Sequence, residues 1–200
     1  MVSSSDNLTN RRRDANRTRI LDSAAERLAE HGYGATSLAD VALLAQVDPA
    51  VVSFHFPTVE DLVEAVLRAG IDHARSTIDE ALAAAPSADT GAERLAIAMN
   101  AYLRAISERQ HVTRANIRCY RSVPPVVRRG LAVHMREFVE TWSELLEAGR
   151  ADNSLHRELQ PGLVARVLIA ALNSTVTADP SEIDTTADQL RLVILEGIRA

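Results

Sequence analysis

The stretch "AQVDPAVVSFHFPTVEDLV", residues 45–63, decides the fold because it encodes one short helix with a defined start and a defined end. Asp48 is a favourable N-cap, and Pro49 fits the first helical turn, where no backbone N–H is needed. The segment "FHFP" ends the helix, and Thr58 begins another with Asp61 three residues later. The pattern therefore predicts a short helix presented between two tight turns.

Further helices are predicted on both sides of this stretch. Upstream, apolar residues recur at helical spacing over about residues 16–31, and Gly32 follows as a stop. Ser37 with Asp40 begins a second short helix in the capping-box arrangement. Downstream, the helix from Thr58 extends for about 25 residues, or about 38 Å, which is too long for a small three-helix unit alone. It must continue into a second body.

The second half of the chain predicts four or five more helices. Its composition, 46% apolar and only 4% aromatic, indicates a core of Ala, Leu, Val and Ile packed between helices. The predicted features in chain order are a capping box at Thr90 and Glu93, a less regular piece over residues 112–122, a helix ending at Gly149, a linker, a helix over residues 163–177, and a last helix capped by Asp179, Pro180 and Glu182.

These elements predict an all-α fold in which an N-terminal three-helix helix-turn-helix head is joined by a long helix to a helical body. The predicted division is a disordered basic arm over residues 1–14, the head over 15–60 and the body over 61–200. The net charge of −5 argues against a generally basic surface, so a nucleic-acid contact has to be local. Five arginines in residues 11–19, against the single acid Asp14, supply such a local charge.

The single cysteine, Cys119, permits no intrachain disulfide and suits a reducing cytosol. The N-terminus lacks the apolar stretch of a signal peptide, and no run is long enough to span a bilayer. We therefore expect a cytoplasmic protein with no membrane partner.

The last two helices are apolar on more than the single stripe expected of a surface helix. Packing against a second copy would bury both sides, although neighbouring helices of the same chain offer an alternative cover. The residues predicted to form a homodimer interface are Leu168, Leu172, Leu190, Val193, Ile194 and Ile198.

Residues 18–67 resemble the DNA-binding head of the TetR family of transcriptional regulators. The resemblance is carried by "RILDSAAERLAEHGYGATSLADVALLAQVD" and "FHFPTVEDLVEAVL". The matching positions are Ile20, Leu21, Ala24, Ala25, Gly32, Tyr33, Ser37, Val41, Ala42, Val47, His55, Phe56, Glu60 and Leu62. The resemblance implies binding to a double-stranded DNA operator, a small-molecule effector and a homodimer.

Three positions depart from the family's pattern. The family usually has Gly at Gln46, Tyr at Ser53 and Lys at Val59, and the resemblance implies that the Tyr and Lys hold DNA phosphates. We expect the basic arm to replace those contacts, although a solvated tail is the alternative. The residues predicted to contact DNA are Arg11, Arg12, Arg13, Arg17, Thr36, Ser37, Gln46, Ala50, Val51, Ser53 and His55.

A regulator of this kind needs a ligand pocket in its body. Phe138 and Trp142 lie one helical turn apart, with His134 one turn before them, which suits a mostly apolar ligand with one polar group. Ordinary core packing is the alternative. The predicted ligand-binding residues are Met99, Tyr102, Asn116, Cys119, Tyr120, His134, Phe138 and Trp142.

No catalytic residue, metal site or cofactor is predicted. The sequence has no nucleophile elbow and no dinucleotide-binding glycine pattern, and its six histidines form no i,i+4 pair. The leading hypothesis is therefore a ligand-responsive homodimeric repressor that binds a pseudo-palindromic operator. The alternative is a dimeric small-molecule-binding or adaptor protein whose head binds DNA weakly.

Overall fold

The computed structural model describes residues 4–177 and 183–199, with side chains for residues 10–109, 111–175, 185, 186, 188–190 and 192–199. The described part of the chain contains α-helices, two short 3-10 helices and one isolated bridge between Leu155 and Arg199, with no β-strand. The helices are α1 (Ser4–His31), α2 (Leu38–Ala45), α3 (Pro49–His55), α4 (Val59–Ala83), α5 (Gly91–Glu108), α6 (Gln110–Cys119), α7 (Pro125–Ala151), α8 (Pro161–Asn173) and α9 (Ile183–Ile198). The predicted all-α class is confirmed.

Two of these helices differ from the sequence prediction. Helix α1 begins at Ser4, about twelve residues before the predicted start, because no proline or glycine interrupts residues 4–31 and arginine favours helix. The segment predicted to be a disordered arm is therefore helical over its described residues. Helix α6 is regular where an irregular piece was predicted. The predicted caps at Asp179, Pro180 and Glu182 lie outside the described residues.

The chain divides into two compact units. Within the described residues, the first comprises 4–70 and 111–131, and the second comprises 71–110, 132–177 and 183–199. This division differs from the predicted boundary at residue 60 because α6 and the start of α7 pack with the head. Helix α4 contributes residues to both units, as does α7.

The core of the first unit is built where α1, α2 and α3 pack on one another. Its fully or nearly fully buried side chains include Ile20, Leu28, Val41, Val52, Phe56, Leu62, Val63 and Leu67. Helix α6 adds Asn116, whose side-chain amide donates to the backbone oxygens of Val112, at 3.1 Å, and Leu67, at 3.4 Å. The close approach of α4 and α6 depends on Gly70, since a Cβ there would lie 2.5 Å from a methyl group of Val112.

The core of the second unit lies among α5, α8 and α9 together with the adjoining parts of α4 and α7. Its largest fully buried side chains include Ile78, Leu95, Met99, Trp142, Leu146, Leu155 and Leu172. The predicted capping box at Thr90 and Glu93 is confirmed. Among the described residues, no single helix has the length and apolar character to cross a membrane; one bent pair, α2 with α3 at 115°, meets that test on length and composition only.

Candidate DNA-binding surface and ligand site

Helix α3 turns one face towards the core and the other outwards. Val52 is buried and Phe56 is 4% exposed, whereas Ala50, Ser53 and Phe54 are exposed. Positions i, i+3 and i+4 share one side of a helix, so these three residues form a continuous outward face. Phe54, at 65% exposure, is by far its largest side chain. Val51, which was predicted to contact DNA bases, lies beside this outward face and is half-buried.

Both ends of α3 are fixed by hydrogen bonds. The Asp48 carboxylate accepts from the Ala50 amide at 2.7 Å, as predicted for its N-cap. At the other end the Phe56 amide donates to the Val52 carbonyl at 2.8 Å. The following helix is held by Thr58 and Asp61, whose carboxylate accepts from the Thr58 amide at 3.1 Å. Helix α3 is therefore held at both ends despite having only seven residues.

Gln46 holds the turn between α2 and α3 in a left-handed conformation, with φ 52° and ψ 47°. Glycine adopts this conformation without steric cost, whereas other L-residues do so at a penalty. The guanidinium of Arg19 donates to the carbonyl oxygens of Ala45 and Gln46, which closes the end of α2. The Gln46 side chain remains exposed.

The arginines of α1 bring positive charge beside α3. The guanidinium carbon of Arg13 lies 4.8 Å from the centre of the Phe54 ring, and that of Arg17 lies 5.6 Å from the centre of the Phe56 ring. Both distances fall within the range of cation–π attraction. Arg11 and Arg12 are exposed on the same helix.

His55, the last residue of α3, is half-buried and is influenced by the charges of two of these arginines. Burial lowers its pKa below the ordinary value of 6.5, and the charges of Arg13 and Arg17 lower it further, against a smaller opposing effect of Asp14. A neutral imidazole is therefore favoured near neutral pH. A neutral imidazole keeps one N–H donor, so the DNA contact predicted for His55 stays a prediction.

Two further predicted DNA contacts lie in the turn before α2. Ser37 is exposed and caps the helix, since its hydroxyl oxygen accepts from the Asp40 amide at 3.2 Å. Thr36 is only 8% exposed, and its hydroxyl donates to the Gly32 carbonyl at 2.9 Å. The hydroxyl of Thr36 is therefore engaged inside the head while Ser37 is exposed, and the DNA contacts of both residues stay predictions.

The second unit contains a compact aromatic cluster of Tyr102, Phe138 and Trp142. The Tyr102 ring centre lies 5.4 Å from that of Phe138 and 5.7 Å from that of Trp142, and the Phe138 and Trp142 centres are 6.3 Å apart. The predicted ligand residue Met99 is fully buried in this unit as well. Helical spacing correctly placed Phe138 and Trp142 side by side, whereas Tyr102 reaches them from α5.

The two polar groups of the cluster differ in whether they have a hydrogen-bond partner. The Tyr102 hydroxyl donates to the Asn173 side-chain oxygen at 2.7 Å, and burial raises the pKa of Tyr102. The Trp142 indole N–H, by contrast, is buried without a hydrogen-bond partner in the described part of the chain. A buried donor without an acceptor is costly, so this nitrogen marks a place where an acceptor is needed.

The other predicted ligand residues do not join this cluster. His134 is half-buried and its Nδ1 lies 3.0 Å from an Asp72 carboxylate oxygen. Asn116, Cys119 and Tyr120 belong to the first unit. Cys119 is fully buried there, its thiol lies 3.6 Å from the Leu28 carbonyl oxygen, and burial raises its pKa. The predicted eight-residue pocket is therefore divided between the two units.

The predicted interface residues also divide into two groups. Leu168 and Leu172 are 2% and 0% exposed, so the structure places them in the core rather than at a surface. Leu190, Ile194 and Ile198 are half-buried, and Val193 is 67% exposed. The other large apolar side chains exposed on α8 and α9 are Leu163, Val167 and Leu192.

Comparisons with known proteins agree with the geometry of the head. Residues 20–66 match the family model described as bacterial regulatory proteins, tetR family, and residues 88–177 match the tetracyclin repressor-like C-terminal domain. The chain belongs to the TetR family of transcriptional regulators. It is accordingly a DNA-binding transcriptional regulator, as the sequence resemblance predicted.

Relatives of this TetR-family chain match it over most of its length. It is 27% identical over 191 residues to the HTH-type transcriptional repressor KstR2 of Rhodococcus jostii, covering 91% of this chain and 90% of that protein. A TetR-family regulatory protein from Rhodococcus RHA1 has the same fold, with a TM-score of 0.80 at 21% identity over 92% of this chain and 97% of its own. PfmR from Thermus thermophilus gives a TM-score of 0.76 at 23% identity, covering 91% and 96%.

Two residues beside these candidate sites were not predicted from the sequence. Phe54 was not among the predicted DNA contacts, although its spacing from Ala50 places it on the outward face of α3. Asn173 carries the partner oxygen for Tyr102 but lies 71 residues away in sequence. Helical periodicity was a sufficient signal for the first, whereas no local pattern identifies the second.

Proposed function

We propose that this protein is a homodimeric repressor of the TetR family that binds a pseudo-palindromic operator in the cytoplasm and is released by a small, mostly apolar ligand. The observation that carries the DNA-binding part is the match of the head to the family model, together with the exposed face of α3. Repression is supported by the relative from Rhodococcus jostii, which is named a transcriptional repressor.

DNA contacts are proposed on two surfaces of the head. Ala50, Ser53 and Gln46 are exposed at α3 and its approach, where they can meet base edges in the major groove. The arginines of α1, Arg11, Arg12, Arg13 and Arg17, supply charge for phosphates in place of the family's Tyr and Lys.

A DNA-binding assay tests both surfaces. Fluorescence anisotropy with a duplex obtained by in vitro selection should give an affinity that falls steeply with salt, as expected when cations replace counterions on phosphates. Replacing Arg11 and Arg12 by Gln should flatten the salt dependence by about two units of slope, since each phosphate contact contributes about 0.9. An unchanged slope rules out Arg11 and Arg12 as phosphate ligands.

The two family residues missing from the head provide a complementary test. Ser53→Tyr and Val59→Lys together should strengthen binding and steepen its salt dependence. If the wild-type protein binds no duplex at any salt concentration and the double variant does, the alternative of an adaptor with a weakened head is favoured instead.

Dimerisation is proposed through the exposed apolar side chains of α8 and α9. Val167, Leu192 and Val193 are each more than half exposed, at 62%, 53% and 67%. A surface depression of about 450 Å³ lies beside Leu190 and Val193 and could receive a side chain of the second copy. In a two-fold symmetric dimer each chain contributes the same surface, so the exposed apolar side chains of α8 and α9 on one chain would pack against the same side chains of the other.

The oligomeric state responds to a charge placed in that patch. Val193→Glu should convert the dimer to a monomer in light scattering after gel filtration, because an unpaired carboxylate would be desolvated in the interface. Val133→Glu is the matched control, since Val133 is also an exposed valine, at 47%, but lies on α7. Equal masses for the wild type and Val193→Glu contradict the proposed interface.

The ligand is proposed to bind at the aromatic cluster with a hydrogen-bond acceptor on the Trp142 indole N–H. Phe138 is apolar and the Tyr102 hydroxyl already has a partner, and both rings contact Trp142, while Met99 is buried in the same unit. A single acceptor on an otherwise apolar molecule would therefore pair with the Trp142 N–H. Ligand binding here would act on the head through α4, which is continuous between the two units.

Trp142 is the only tryptophan in the chain, so its fluorescence reports on this site alone. A steroid ketone and a medium-chain aliphatic ketone are suitable probes, because each carries one acceptor on an otherwise apolar skeleton, and the hydrocarbons that lack the carbonyl oxygen are the controls. At least one probe should change the Trp142 emission and lower DNA affinity, while its hydrocarbon should do neither. Emission that is unaffected by any acceptor-bearing probe contradicts the proposed site.

A further inference from the structure

The outward face of α3 has an unusual chemical composition for a helix that meets DNA. Its exposed side chains are two small ones, Ala50 and Ser53, and one large apolar ring, Phe54. The helix has no Arg, Lys, Asn or Gln of its own. Bidentate recognition of guanine or adenine by α3 itself is therefore excluded by its side chains.

The exposed ring of Phe54 is held in place. The guanidinium of Arg13 lies 4.8 Å from the ring centre, and the imidazole of His55 meets the ring edge-on with the centres 5.5 Å apart. Arg13 covers one face of the ring, yet the residue remains 65% exposed, so apolar ring surface is left for a partner.

Apolar side chains in the major groove recognise one group, the C5-methyl of thymine, which is the only apolar feature displayed there. The Arg13 guanidinium that holds the Phe54 ring can also donate to a phosphate next to the thymine, which would fix the ring against the methyl group. We propose that Phe54, positioned by Arg13, reads a thymine through its methyl group and supplies the main sequence preference of α3.

This inference rests on the proposed DNA-binding function, and a protein–DNA double-mutant cycle separates the two. The full-length protein is used to select an operator from random duplexes, and each thymine of that operator is then replaced singly by uracil, which lacks only the methyl group. Wild-type affinity should fall about fourfold at one or more thymines of each half-site, the value expected for one buried methyl.

Phe54→Ala should bind the thymine operator more weakly and lose the discrimination at those positions, giving equal affinity for thymine and uracil. Phe54→Leu should retain discrimination, since it keeps an apolar side chain. Val126→Ala is the matched control, because Val126 is an exposed apolar residue of the same unit on α7 and should preserve both affinity and discrimination.

The outcomes distinguish the two proposals. Failure of the wild type to select any duplex overturns the proposed function itself. Selection of an operator without sensitivity to any thymine methyl, or equal thymine preference in the wild type and Phe54→Ala, overturns the reading by Phe54 and leaves DNA binding intact. Thermal unfolding of each variant identifies loss of affinity caused by loss of folding.

Discussion

Replacing Gln46 by glycine should stabilise the protein. The backbone of Gln46 has φ 52° and ψ 47°, and an L-residue in this region costs about 1–2 kcal/mol relative to a right-handed conformation. Glycine removes that penalty but loses about 0.5–1 kcal/mol more conformational entropy on folding. The expected net gain in the free energy of unfolding is about 0.5–1 kcal/mol, or about 1–4 °C in the midpoint of thermal unfolding for a chain of this size.

The same substitution should weaken DNA binding, because it removes an exposed amide at the approach to α3. A bidentate contact to adenine through that amide contributes about 1–3 kcal/mol of discrimination. Gln46→Asn separates the two effects, since Asn tolerates the left-handed conformation and keeps an amide. Stability is measured by circular dichroism and affinity by anisotropy on the same samples.

Asn153 provides a matched control in the second unit. It also has a positive φ, at 61°, so Asn153→Gly changes a comparable turn without touching the head. That variant should leave DNA affinity unchanged and alter stability only slightly, since Asn already suits the conformation. A lower unfolding midpoint for Gln46→Gly than for the wild type refutes the argument from backbone strain.

Two further predictions follow from packing and from charge. Gly91→Ala should lower the free energy of unfolding by about 1–3 kcal/mol in denaturant, because a Cβ would lie 2.1 Å from the backbone nitrogen of Gly149. The control Gly162→Ala has open space around the added methyl group and should not destabilise the protein. Equal stabilities of the two variants contradict the close approach at Gly91. The pKa of His55, followed by NMR, should lie below 6.5 and rise in Arg13→Gln. The folded protein binds the His55 proton less readily than the unfolded chain does. The contribution of neutral His55 to the free energy of unfolding is therefore present above about pH 6.5 and is lost as the pH falls through the lowered pKa. A measured pKa of His55 at or above 6.5 contradicts this prediction.

The head was predictable from sequence because its signals are local. The N-cap residues Asp48 and Ser37 accept hydrogen bonds from backbone amides no more than three residues away, so the local sequence is enough to predict where α3 and α2 begin. The length of α4 followed from one apolar stripe. Residues 112–122 were predicted as a less regular piece, and the regularity of α6 in the structure accompanies its packing within the first unit.

The functional sites were only partly predictable because they depend on contacts that are distant in sequence. Phe138 and Trp142 share a helix face and were correctly grouped, but no pattern identified Asn173 as the partner of Tyr102. Leu168 and Leu172 were assigned to an interface since a helix that is apolar on two sides does not indicate which side faces its own core.

The central claim, that two paired chains present their heads to one duplex, is tested most directly by measuring the stoichiometry of the protein–DNA complex. Sedimentation equilibrium with an operator obtained by in vitro selection should give two chains for each duplex, on a site whose half-sites lie about one helical turn, or about 34–36 Å, apart. One chain for each duplex, or no complex at low salt, contradicts the claim.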